Sequence, residues 1–125
     1  MKDEIGSKCW VIPEGYIPPY SRPKTSELIS HEAACILNAT DKDAQLEITI
    51  YFSDKEPIGP YKLVVPARRT LHMRFNDLKH PAPIPVDTDY ASVIISDTPI
   101  VVQHTRLDSR DPSIALISTI AFPAS

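Results

Sequence analysis

The chain has 125 residues, 13 prolines against 3 glycines, 42% hydrophobic residues and a net charge of −3. Proline at about twice its average usage argues against a helical bundle, because it lacks the amide proton and clashes with the preceding turn. The balance disfavours disorder, no G-x-x-x-x-G-K-[ST] or G-x-G-x-x-G loop occurs, and a pI near 5.7 argues against general nucleic-acid binding.

The N-terminal residues Met1–Lys8 carry acids and no apolar h-region, so no signal peptide is predicted. No apolar run approaches the ~20 residues of a membrane span, and the chain is expected to be cytoplasmic. Lys8–Ile12 opens the strand pattern. Glu14–Lys24 follows as a loop rich in aromatics and proline, and Glu27–Leu37 is the second strand. Asn38–Asp43 reads as a turn, since Asn and Asp bond their own backbone. Gln45–Ser53 alternates cleanly, with Leu46, Ile48, Ile50 and Phe52 on one face. After the loop Asp54–Pro60 come the strands Tyr61–Val65 and Thr70–Asn76, and a helical turn is possible near Asn76–Lys79. His80–Pro85 reads as an extended connector on the surface. Tyr90–Ile95, Ile100–Leu107 and Ile114–Phe122 complete eight strands, and Asp111-Pro112 offers a second short helical start.

These signals predict an all-β fold: an eight-stranded antiparallel β-sandwich, jelly-roll-like, in a single domain over residues 1–125. The ends, 1–7 and 123–125, are expected to be loose. Tyr90–Ile95 and Ile114–Phe122 are apolar on both faces. In an antiparallel sandwich one face normally meets water, so a second cover is needed, and self-association is preferred over a folded-back tail.

Cys9 and Cys35 are too few and too far apart for a zinc pattern and read as two buried thiols. Four polar groupings are candidates for function. The first is Ser30-His31-Glu32, with His31 sharing its side with Ile29, Ala33 and Cys35 and so facing the core or an interface. The second is Arg68-Arg69-Thr70-Leu71-His72-Met73-Arg74, in which Arg68, Thr70, His72 and Arg74 project from one face as a cationic ridge, suited to an anion or an acidic partner because guanidinium groups bind carboxylates and phosphates bidentately. The third is Gln103–Arg110, in which His104 and Arg106 share a face and Asp108 and Arg110 follow. The fourth is the aromatic set Trp10, Tyr16 and Tyr20, suited to sugar or protein recognition. The predicted binding residues are therefore His31, Glu32, Arg68, Arg69, His72, His104, Arg106, Asp108 and Arg110. Alanine at Arg106 and Arg110 is expected to weaken binding while sparing the melting temperature.

No catalytic residue and no cofactor are predicted. A metal-dependent enzyme on a jelly roll is the alternative if His31, His72, His104 and Glu32 converge, although no H-x-H pair occurs and nearby arginines repel a cation. A DNA-binding regulator is the other, carried by Arg68, Arg69 and Arg74.

The same residues resemble the sensory rhodopsin transducer family over nearly the whole chain. The resemblance is carried by Glu14–Tyr20, Ile29–Glu32, Ile48–Pro57, Val65–Thr70, Arg74–Leu78, Pro81–Pro85, Val101–Arg110 and Ser118–Ala121. It implies an all-β sandwich assembled as a homotetramer, without established catalytic residues, in a cytoplasmic signalling role. It implies a membrane photoreceptor as partner or, in relatives without one, a small sugar-derived ligand.

Overall fold

Period-two alternation builds the core. In the computed structural model, which describes residues 4–22, 28–111 and 113–124, strand β3 (Ala44–Phe52) buries Ala44, Leu46, Ile48 and Ile50 and leaves Gln45, Glu47 and Tyr51 to solvent. Each isoleucine taken out of water in this way contributes about 1.5–3 kcal/mol. The remaining strands are β1 (Ser7–Tyr16), β2 (His31–Asn38), β4 (Ile58–Val65), β5 (Arg69–Arg74), β6 (Asp89–Asp108), β7 (Ala115–Ile120) and β8 (Phe122–Pro123). The fold is all-β, every strand pairing is antiparallel, and no α-helix occurs among the described residues.

The strands form two layers that share β6. One runs β4-β3-β6-β1-β8, and in the other β2 pairs with β5 and β6 while β7 pairs with β6. Trp10, Ile12, Ile48, Ile50 and Ile94 of the first layer meet Ala34, Ile36, Met73 and Val102 of the second in one core. The two strands expected at Tyr90–Ile95 and Ile100–Leu107 are a single strand of 20 residues. Pro99 lies between Ser96, where β6 parts from β3, and Val101, where it joins β2, inside the irregularity of the β1 pairing between Ile95 and Ile100, a place with no ladder bond to lose. The Trp10 indole pins this corner, donating to the carbonyls of Ser7 and Ile100, each at 2.9 Å.

Other expectations shift locally. β1 runs on through Tyr16, so Glu14, Gly15 and Tyr16 lie in a strand and not in a loop. β1 begins at Ser7, and Pro123 of β8 pairs with Trp10. Glu27 of the expected second strand and residues 23 and 24 of the expected loop lie outside the described residues, as does Pro112 of the second helical start. The helical turn falls earlier than expected, as a single 3-10 turn at Phe75–Asp77 that follows β5 directly. The 80–85 connector is not wholly superficial: Ile84 is buried, and the Ala82 carbonyl accepts the Tyr61 hydroxyl. Both cysteines are half-buried free thiols, because each occupies the outward face of its strand; burial still pushes the Cys35 thiol up.

Candidate functional site

Glu32 lies on the inward face of β2 with Ala34 and Ile36 and has no exposed surface. The register of β2 on β6 sets Arg106 directly opposite Glu32 and His104 opposite Ala34. Opposite charges at directly opposed positions attract across an antiparallel pair. Arg106 donates to Glu32 Oε1 from Nη2 at 2.8 Å and from Nε at 3.0 Å, and His104 Nε2 lies 2.8 Å from Oε2. Against a carboxylate that ring nitrogen carries the proton. The Tyr16 amide also donates to Oε1. Glu32 thus ties β1, β2 and β6 together with four hydrogen bonds. Its own amide donates to Asn76 Oδ1, and Asn76 Nδ2 donates to the Ser30 carbonyl.

A bulge brings β1 to this cluster. Ile12 pairs with Ser92 and Gly15 with Tyr90, so one extra residue is accommodated around Pro13 and Glu14. Bulges re-aim side chains, and proline fits the unpaired position because it has no amide proton to lose. Glu14 is left at the surface with Oε2 3.6 Å from Arg106 Nη1. Gly15 makes the close approach possible, since a Cβ there would lie 2.4 Å from the Tyr90 ring.

Tyr16 completes the surface. Two guanidinium groups lie over its ring, Arg106 at 5.9 Å and Arg110 at 5.3 Å from the ring centroid. Its hydroxyl donates to Asp87 Oδ1, which raises the phenol above its ordinary value. Asp87 stands at φ 54°, a left-handed conformation that aspartate tolerates better than most residues. Arg110 grips Asp108 through Nη2–Oδ2 at 2.7 Å and Nε–Oδ1 at 3.0 Å, and this hydrogen bonding holds the Asp108 carboxyl below the usual range. Beneath, the Ser30 and Ser109 hydroxyls meet at 3.0 Å, and the Ser109 carbonyl accepts the Arg22 amide.

Of the predicted binding residues, the structure joins Glu32, His104 and Arg106, and sets Arg110 with Asp108 beside them through Tyr16. The arginines do not form an open cationic cleft, because each already faces a carboxylate. The remaining four lie elsewhere. His31 is on the outward face of β2, half-exposed, with Nδ1 2.7 Å from the Ile29 carbonyl, so it does not face the core. Arg68 occupies the exposed turn into β5, Arg69 is that strand's exposed first residue, and His72 lies outward on β5 opposite Cys35. His104 thus projects from the opposite face of the sheet to His31 and His72, and the three cannot share a metal. Among the described residues no group of three or more His, Cys, Asp or Glu could hold one. Of the aromatic set, Trp10 is core and Tyr20 is exposed. Glu14, Asp87 and Asn76 were not predicted. Glu14 and Asn76 lie inside the family-like segments, whereas nothing in the sequence pattern marks Asp87.

No helix is long and apolar enough to cross a membrane among the described residues. Residues 5–123 match the family model described as Anabaena sensory rhodopsin transducer. A solved structure of the Anabaena sensory rhodopsin transducer is 67% identical, with a TM-score of 0.74, covering 82% of this chain and 99% of its own. A crystal structure of Thermotoga maritima 1070 is 32% identical, with a TM-score of 0.81, covering 94% of this chain and 95% of its own. No curated protein matches.

Proposed function

The chain belongs to the Anabaena sensory rhodopsin transducer family, and from that premise we propose that it is a non-enzymatic, cytoplasmic signal transducer working as a homotetramer. Its partner surface is the face built by Tyr16, Arg106, Asp108 and Arg110 over the buried Glu32. The observation that carries this reading is the packing of two arginines over the Tyr16 ring, their charges already answered by carboxylates. A ring held this way loses little entropy on contact, and it offers donors and acceptors of both signs. That suits the polar surface of a receptor better than a free anion, which would have to displace Glu32 or Asp108. Self-association is supported by the apolar side chains left on the outside, among them Ile95, Tyr51, Leu116, Ile117 and Phe122.

The test is titration of the purified chain, by calorimetry, against a sensory rhodopsin in lipid nanodiscs. Arg110→Ala is expected to weaken binding about tenfold or more, the loss of a charge-assisted contact, with the melting temperature nearly kept. Unchanged affinity would overturn the site. Binding to a panel of free sugars, lost in the same variant and absent for the receptor, would replace the receptor with a small ligand at the same face. Arg106→Ala is the wrong probe, because it strips Glu32 of two hydrogen bonds and weakens the fold itself.

A further inference from the structure

Cys35 and His72 face each other on the outer side of the second layer. The ladder between β2 and β5 sets them directly opposite. Glu32, Ala34 and Ile36 of β2 and Met73 of β5 point inward, so alternation sends the thiol and the imidazole outward together. Both line one groove of about 360 Å³, with Thr70, Val101 and Gln103 around them and no carboxylate in its walls. Among the described residues neither side chain has a hydrogen-bond partner, whereas the rings of His31 and His104 each have one. Cys9, the other thiol, lies opposite Ile95 instead of a histidine.

A thiol and an imidazole in one groove are a donor set for a soft metal ion. Opposed residues hold their Cβ atoms ~4.5–5.5 Å apart. A metal between sulfur and nitrogen spans about 4 Å, so an ion fits between the two side chains without moving a strand. The number of donors selects the ion. Among the described residues no third His, Cys, Asp or Glu joins the pair. Zinc takes three or four protein ligands, and magnesium and calcium take oxygens, whereas Cu(I) is content with two donors in line. Charge selects the same ion. Arg74 shares the outward face of β5 with His72, and Arg68 and Arg69 are exposed where that strand begins. A divalent ion on one thiolate would leave a positive charge beside these arginines, and a monovalent ion leaves none.

We propose that Cys35 and His72 form a two-coordinate site for Cu(I). Binding replaces the S–H bond by an S–Cu bond, and the proton passes to solvent. The imidazole gives the lone pair of its unprotonated nitrogen, and copper keeps its oxidation state. The assembled unit is neutral. Burial pushes the Cys35 thiol up, which disfavours a free thiolate nucleophile here. It does not disfavour a metal, because a coordinating thiol is deprotonated outright. Glu32 and His104 project from the other face of the same sheet, so the copper site is separate from the partner surface proposed above.

The experiment is anaerobic titration of the reduced full chain with Cu(I), with bicinchoninate as the competing chelator. The wild type and Cys9→Ser are expected to take one tightly held ion per chain. Cys35→Ser, which keeps the Cys9 thiol, and His72→Ala are each expected to bind about a hundredfold more weakly, since even the groups behind a metal ligand are worth ~10–100-fold in affinity. X-ray absorption on the loaded Cys9→Ser chain should show one sulfur and one nitrogen at the metal. Equal affinity in Cys9→Ser and Cys35→Ser would reduce copper to an adventitious thiol ligand and overturn the site. Binding unchanged in His72→Ala would overturn it too, and so would Zn(II) that displaces Cu(I) from the chain. Should a variant fail to fold, the absorption spectrum decides: a metal with no nitrogen ligand overturns the proposal.

Discussion

A carboxylate removed from water costs several kcal/mol unless donors replace its hydration, and Glu32 recovers that loss from Arg106, His104 and the Tyr16 amide. Removing one partner of such a buried pair typically costs about 3–5 kcal/mol. The expectation that Arg106 could be removed without cost to stability therefore gives way: Arg106 holds the fold as well as the surface. Tyr90 beside it has the opposite problem, a buried hydroxyl with no partner. Burial first, and the Glu32 carboxylate second, push its phenol well above the ordinary value. The folded chain keeps that proton where the unfolded chain has released it. Stability is therefore whole below the unfolded phenol value of about 10 and falls as pH rises past it. Tyr90→Phe is expected to match or exceed the wild type by up to about 1 kcal/mol at neutral pH. In urea unfolding its lead should widen above about pH 10. Parallel pH profiles for the two chains would contradict this account.

Strands here are bent to their task by proline and glycine. Pro13 sits at the β1 bulge, Pro60 in β4 at the sheet edge, Pro99 where β6 passes from β3 to β2, and Pro123 in the two-residue β8. Each occupies an edge or irregularity where a missing amide proton does little harm. The prolines therefore do not all mark strand ends, and reading Pro99 as an end divided β6 in two. Gly15 is the tightest point of β1. Gly15→Ala would set a methyl 2.4 Å from the Tyr90 ring, which is itself packed at 5.7 Å from the Phe75 ring. Such overpacking costs about 1–3 kcal/mol. A lower urea midpoint is expected, together with weakened partner binding, since Tyr16 is the next residue. An unchanged midpoint would mean that the ring yields freely.

The assembled sandwich leaves apolar surface outside on both layers: Ile95 and Tyr51 on one, Leu116, Ile117 and Ile120 on the other. If copies of the chain cover these residues, folding and assembly are coupled by mass action. The melting temperature should then rise across an approximately hundredfold increase in protein concentration, and a flat profile would speak against assembly. Much of this was legible beforehand. The alternation in Gln45–Ser53, the two-faced pattern of Ile114–Phe122 and the all-β class follow from period-two geometry, which is local and survives any tertiary arrangement. The pairing of His104 and Arg106 on one face was equally local. What spacing could not carry was the partner of each group. Glu32 was noticed only as a neighbour of His31, yet the two point to opposite sides of the sheet. Tyr16 meets Arg110, 94 residues away, and Asp87, 71 away, only because the β1 bulge and the β2–β6 register bring them together. By itself the sequence determined which residues form strands and which side chains share a face, because a strand's own backbone dictates both. The tertiary structure alone decided which faces meet, because register and layer order are set by packing between segments distant in the chain.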